Sequence, residues 1–240
     1  MNEKKSRHGV VIALLCVLIG ICAILIAIFW DPLLTLVGTL RSHPKTIACL
    51  GDSITYGAGV KENREAEAWT FVLNDLLGES YTVLNYGQNG ATLQAEGDRP
   101  YQDTGFLQEA MAERAGTYIL MLGANDSKEM NWDRERYAAE LEELIQTLCS
   151  GHWKHRVILM QLPKAFPDEE TGQIRAGLRD DVIREEINPI IRELADKYHL
   201  TCVDLYALTE DHPEWYSDGI HPNREGNRQI AELLAGVLQG

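Results

Sequence analysis

The chain has 240 residues, 45% hydrophobic and 24% charged, a globular composition that excludes disorder, collagen-like repeats and low-complexity structure. That length suits one domain of about 200 residues with an appendage. Lys4, Lys5, Arg7 and Arg41 against Glu3 and Asp31 leave residues 1–44 at +2, so with −14 in all residues 45–240 carry −16, which argues against nucleic acid as a partner.

The first predicted element is a membrane span. Gly9 to Trp30 hold 22 residues without a charged side chain, and as a helix they reach about 30 Å, the thickness of a bilayer's hydrocarbon core. A cleaved signal peptide would carry an apolar run of about 7–15 residues and a small-x-small site. Here bulky Ile28, Phe29 and Trp30 lead into Asp31 and Pro32. An uncleaved signal anchor is the expectation, with 1–8 in the cytoplasm, 9–30 in the membrane, 31–44 a tether and 45–240 a domain outside the cell membrane. Lys4, Lys5 and Arg7 on the N-terminal flank set that orientation.

Beyond the tether, short apolar runs alternate with segments of helical period. The strand candidates are Thr46–Leu50, Thr82–Asn85, Tyr118–Leu122, Val157–Gln161 and Cys202–Asp204. The helix candidates are Ala68–Leu77, Phe106–Ala115, Asp133–Cys149, Asp180–Tyr198 and Arg224–Leu238. Tyr137, Leu141, Leu144, Ile145 and Leu148 make one apolar stripe, and Pro189 predicts a kink. Strand and helix in alternation imply right-handed βαβ units and a parallel sheet covered on both faces. Cys49, Cys149 and Cys202 in the domain fit no disulfide or zinc spacing and are expected as buried free thiols.

In such sheets, sites form beyond the carboxyl ends of the strands. After the first strand stands Gly51-Asp52-Ser53-Ile54, where Ser53 is a nucleophile given a base, or a helix cap. After the second stands Gln88-Asn89-Gly90-Ala91, where Gly90 can present a backbone N–H to an oxyanion, or form a turn. After the third stands Gly123-Ala124-Asn125-Asp126, where the Asn125 amide can donate to the same oxyanion, or close an Asx turn. Asn125-Asp126-Ser127 is also a glycosylation sequon, discounted because a strand end lines a pocket. Near the C-terminus stands Asp218-Gly219-Ile220-His221, where Asp218 can hold one ring nitrogen of His221 and leave the other as a base, or His221 is a plain loop residue.

In this order the four blocks resemble the SGNH hydrolases, the GDSL lipase/acylhydrolase family, over roughly Lys45 to Leu238. The first block reads GDSI rather than GDSL, a conservative change. The resemblance implies a three-layer α/β/α sandwich on a five-stranded parallel sheet, flavodoxin-like. It implies Ser53, Asp218 and His221 as catalytic residues and Ser53, Gly90 and Asn125 as the oxyanion hole. An ester substrate and an acyl-enzyme follow from it. No glycine-rich dinucleotide turn and no His/Cys/carboxylate cluster is present, so neither cofactor nor metal is expected.

The segments around Asn131-Trp132 and Pro213-Glu214-Trp215-Tyr216 are similar to a carbohydrate-esterase-like branch of that family. Asp52, Trp132, Trp215 and Tyr216 are the candidates for substrate contact, with core packing the equal alternative for the aromatics. Leu93–Thr104 is expected as a polar rim loop, where Arg99 is first read as a solvated side chain and, in the alternative, as able to meet an anionic group. Removal of O-acetyl or other short acyl groups from a carbohydrate or cell-envelope glycan is the leading expectation. The alternatives are lysophospholipase or thioesterase action on lipid esters, O-acyl transfer, and a tethered binding domain without activity.

Overall fold

The computed structural model of the protein describes residues 42–240 and, ahead of them, positions 17–22, 24, 26, 30, 32–34 and 36–37. Strand β1 (His43–Gly51) is followed by three short helices, α1 (Ser53–Tyr56), α2 (Arg64–Glu67) and α3 (Trp69–Leu77), and by β2 (Thr82–Gly87). Helix α4 (Phe106–Ala112) leads to β3 (Ala115–Met121), and α5 (Arg134–Cys149) to β4 (Arg156–Met160). Then come α6 (Asp180–Val182), a π-helical turn (Ile183–Ile187), α7 (Asn188–Lys197), β5 (Thr201–Val203), α8 (Leu205–Thr209) and α9 (Arg224–Gln239).

The five strands form one sheet in the order β2-β1-β3-β4-β5, and every pairing is parallel. The order reverses between β1 and β3, because the chain leaves β1 toward one edge and returns from β2 toward the other. Right-handed crossovers put α3 on one face and α4, α5 and α7 on the other. Helix α9 packs on α3, and α5 on α7, which closes the three layers. The crevice at such a reversal is where ligands bind in open α/β sheets.

Burial on both faces explains why the inner strands β1, β3 and β4 read as apolar runs. Ile47, Ala48, Cys49, Leu50, Ile119, Met121, Ile158 and Met160 are all buried. Helix α5 presents Tyr137, Leu141, Ile145 and Leu148 to the sheet and Glu135, Glu143 and Gln146 to solvent. Each such buried side chain contributes about 1.5–3 kcal/mol over its exposed state.

The expected strands and main helices are present, with shifted ends. Residues His43 and Pro44, assigned to the tether, already belong to β1. Helix α4 stops at Ala112 rather than Ala115, and Arg114 turns the chain with φ of 49° before β3. The expected single helix over 180–198 is broken by a π turn rather than bent at Pro189 itself. Pro189 has no N–H to give the carbonyl four residues earlier, so the turn before it widens. Among the described cysteines Cys49 is buried as expected. Cys149 is exposed, because it falls on the outer face of α5 one residue past Leu148.

The candidate span Gly9–Trp30 lies largely outside the described residues. Its described positions are helical, and Val17, Leu18, Ile19, Ile24 and Ile26 carry exposed apolar side chains. Among the described residues no helix is long and apolar enough to cross a membrane.

Candidate active site

Ser53 is fixed by the turn that ends β1. A Cβ on Gly51 would lie 2.3 Å from Thr55 Oγ1 and 2.4 Å from the Met121 carbonyl, so only glycine lets β1 close against β3 here. Asp52 caps α1, its Oδ1 accepting the Ile54 N–H at 2.9 Å. Ser53 is thus the first residue of the helix, at the carboxyl end of β1. Its role as a cap passes to Asp52, and its hydroxyl is left for other partners.

That partner is His221, 168 positions away in sequence, whose Nε2 lies 2.9 Å from Ser53 Oγ. The loop carrying His221 is held by Asp218. Asp218 Oδ1 accepts the backbone N–H of His221 at 2.8 Å and of Ile220 at 3.1 Å, and Oδ2 lies 2.8 Å from His221 Nδ1. A carboxylate accepts only, so Nδ1 carries the proton and Nε2 is the acceptor for the Ser53 hydroxyl. Burial pushes the Asp218 carboxyl up, but the His221 ring, the His221 N–H and the Ile220 N–H outweigh it and hold the pKa at about 2. Asp218 therefore stays ionised around neutral pH. The loop is also pinned from outside. Ser217 N–H donates to the His221 carbonyl at 3.0 Å, and Asn227 Nδ2 of α9 donates to the Pro222 carbonyl at 2.7 Å.

Gly90 and Asn125 border the same cavity as the serine. Gly90 takes φ of 76°, a left-handed conformation that glycine adopts readily, in the turn after β2. The backbone N–H groups of Ser53 and Gly90 are spent on no acceptor among the described residues. Asn125 begins the 3-10 turn Asn125–Ser127 after β3, and one of its two amide hydrogens goes to the Ala91 carbonyl at 3.0 Å. That bond fixes the amide plane and leaves the second hydrogen free to donate. Buried Asp126 stiffens the same corner by accepting the N–H groups of Leu93 and Gln94, both at 2.8 Å. The sequon at Asn125 lies in this buried turn, with Asp126 and Ser127 fully enclosed.

Ser53, Asn89, Gly90, Asn125, Lys128 and His221 line one cavity of about 290 Å³, together with apolar Ile54, Ala58, Leu178 and Ile220. The arrangement holds a hydroxyl, a base oriented by a carboxylate, and donors for a negative oxygen around one space. This is the constellation that acyl transfer requires.

The four candidates for substrate contact do not line that cavity. Asp52 is fully buried under α1. Trp132 leans on Tyr137 with ring centroids 5.5 Å apart, Trp215 stacks on His212 at 3.8 Å, and buried Tyr216 packs on Phe166 at 5.1 Å. Aromatic side chains near a motif were claimed by packing rather than by the site. The expected polar rim loop is also largely tied down: Leu93, Gln94 and Tyr101 are buried, and Asp98 and Asn131 bond each other. Sequence reasoning missed Ala58, Leu178 and Ile220 as lining residues. Ile220 stood inside the Asp218–His221 block and was legible as such, whereas Leu178 comes from an aperiodic loop with no local signal.

Asp52 has a different expected role. Its Oδ2 is buried without a hydrogen-bond partner, and burial raises its pKa from 3.8 to about 6 against the Ile54 N–H and the His221 ring. A carboxyl with a raised native pKa costs stability once it ionises, so the penalty grows from about pH 4 to about pH 6 and is full above that. Asp52→Asn keeps the Ile54 cap and removes the charge. It should raise unfolding free energy at pH 8 by on the order of 2 kcal/mol and flatten its pH dependence between those values. Urea melts at both pH values check this, and an unchanged pH dependence would contradict it.

The profile of the GDSL-like lipase/acylhydrolase family matches residues 49–229. An acetylxylan esterase of Xylanibacter ruminicola is 32% identical over 206 residues, covering 80% of this chain and 43% of that protein. The chain thus spans less than half the length of that relative. The thioesterase 1/protease 1/lysophospholipase L1 of Escherichia coli is 25% identical over 198 residues, 81% of this chain and 83% of that protein. Among solved structures, a carbohydrate acetylesterase from Sinorhizobium meliloti superposes with a TM-score of 0.64 at 20% identity, over 81% of this chain and 98% of that one. An aryl esterase from M. smegmatis does so at 0.65 and 21% identity, over 81% and 98%. With its four motif blocks meeting at one strand-end crevice, the chain belongs to the GDSL-like lipase/acylhydrolase family.

Proposed function

We propose that the protein is a serine esterase that removes short acyl groups, acetyl above all, from a carbohydrate or cell-envelope glycan. The observation that carries this is the continuous relay Asp218–His221–Ser53 at the mouth of the sheet, with bonds of 2.8 and 2.9 Å. His221 Nε2 takes the Ser53 proton as Oγ bonds to the ester carbonyl carbon. The carbonyl electrons move to oxygen, and the N–H groups of Ser53, Gly90 and Asn125 stabilise that oxyanion. His221 then gives its proton to the leaving alcohol as the ester C–O bond breaks, leaving an acyl-Ser53. Water, deprotonated by His221, attacks the acyl carbon; the proton returns to Ser53 and the acid departs.

The acyl group has an apolar wall to rest on, made by Ile54, Ala58, Leu178 and Ile220. The acetylxylan esterase relative supports the same substrate class, and it is closer in sequence than the thioesterase/lysophospholipase. In a series of p-nitrophenyl esters, kcat/KM should be highest for acetate and fall by about tenfold or more by octanoate. A rise with chain length through palmitate would overturn the short-acyl assignment and favour lipid esters.

The apolar run Gly9–Trp30 supports a single membrane anchor that holds the domain on the far side of the cell membrane. On that account the full chain sediments with membranes and a 42–240 fragment stays in solution with the same kcat. A soluble full-length chain would remove the anchor from the proposal.

A further inference from the structure

The lining of the cavity is mostly apolar on one set of segments and mostly polar on another. Ile54 lies in α1, Ala58 just after it, Ala176 and Leu178 in the loop before α6 and Ile220 in the histidine loop, while Asn89, Gly90 and Lys128, with Ala124 among them, come from the turns after β2 and β3. A short acyl group gains by meeting the first set, and a hydrated glycan loses least by meeting the second. Just outside the polar set lies Arg99. Its Nη1 donates to the Asn89 carbonyl at 2.8 Å. A Cβ placed on Gly90 would sit 3.5 Å from Arg99 Nη1 and 3.6 Å from its Cδ. The guanidinium therefore packs along the very glycine that offers its N–H to the oxyanion.

The charge of Arg99 has no carboxylate to meet among the described residues. Its chain neighbour Asp98 is engaged elsewhere: Oδ2 pairs with Lys128 Nζ at 3.0 Å, and Oδ1 accepts from Asn131 Nδ2 at 2.9 Å. Those bonds outweigh the burial of Asp98 and hold its carboxyl below the usual range, so the Lys128–Asp98 pair is neutral as a unit. Arg99 spends one of its five N–H donors on Asn89 and is otherwise exposed. An exposed planar fork fixed at one corner is preorganised for a second, two-point contact with a carboxylate. The chain's −14 opposes an anion at long range, but at physiological salt that repulsion fades beyond about 8 Å, whereas the contact does not.

We propose that Arg99 is a specificity-determining residue, which selects esters whose alcohol part carries a carboxylate: acylated glycans of the uronic-acid type. This deepens the esterase reading above and rests on it. The test compares mono-O-acetyl methyl glucuronide with mono-O-acetyl methyl glucoside, which differ only in a carboxylate against a hydroxymethyl group. The wild-type chain should favour the glucuronide about tenfold in kcat/KM, the worth of one charge-assisted hydrogen-bonded contact. Arg99→Ala should bring that ratio close to one, and Arg99→Glu below one. In the wild type the ratio should shrink between about 50 mM and about 500 mM NaCl, a measurement that needs no variant. A ratio near one in the wild type at low salt, or a ratio kept in Arg99→Ala, overturns the proposal. Turnover of p-nitrophenyl acetate, which has no carboxylate, separates the two readings. If that ester is cleaved while the glucuronide and the glucoside are turned over alike, only the role of Arg99 falls; if it is not cleaved at all, the esterase falls with it.

Discussion

Replacing Ser53 by alanine is expected to lower kcat for p-nitrophenyl acetate by about 10⁴-fold or more. The variant leaves His221 and the donors in place but offers them no nucleophile, so what survives is the catalysis that the oxyanion hole and substrate positioning supply. The fold should not notice. Ser53 Oγ meets only the His221 ring, and the helix it begins is capped by Asp52. Its melting temperature should stay within about 2 °C of the wild type, as for substitutions away from buried networks. A variant that melts normally and keeps full turnover would show that the serine is a bystander.

Asn125→Ala is expected to lower kcat by about 10²–10³-fold with little change in KM, which is the effect of removing one donor aimed at the oxyanion. The carbonyl of a bound ester is weakly polar and the tetrahedral oxygen is charged, so the amide matters mainly in the transition state. The same residue also donates to the Ala91 carbonyl, and losing that bond should cost stability by about 1 kcal/mol. Steady-state kinetics separate the two effects. A rise in KM with kcat intact would assign Asn125 to ground-state binding or to loop shape instead.

The sheet was legible in the sequence because its inner strands β1, β3 and β4 are buried on both faces and so read as short apolar runs. The long helices were legible because one stripe of each faces that sheet, as Tyr137, Leu141, Ile145 and Leu148 do in α5. The helices of three to five residues were not, since none is long enough to show a period. Helices α1 and α8 exist through the caps Asp52 and Asp204, which accept the N–H groups of Ile54 and Ala207. Pro189 announced an irregularity but not its kind, because whether a missing donor bends a helix or widens the turn before it depends on packing. In the site, Ser53, Gly90, Asn125, Asp218 and His221 could be picked out because each stands in a turn that a strand end or a cap demands. The four blocks are far apart in the chain, and only the reversal of strand order between β1 and β3 explains why they meet. Trp132, Trp215 and Tyr216 had suitable chemistry for sugar contact, but their rings found Tyr137, His212 and Phe166 instead. Leu178 acquires its place through a loop whose course is set by distant bonds, such as Arg179 N–H to Ser127 Oγ at 3.1 Å. No local pattern encodes it.

The account turns on the Ser53 hydroxyl being made nucleophilic by His221, and covalent labelling tests that most directly. A fluorophosphonate should react once per chain, lose fluoride, and leave a phosphonyl adduct on the tryptic peptide that contains Ser53, in step with loss of esterase activity. Excess acetyl ester should slow the reaction, and Ser53→Ala should not be labelled. An active enzyme that resists the reagent, or one inactivated by an adduct on a different residue, would contradict the account.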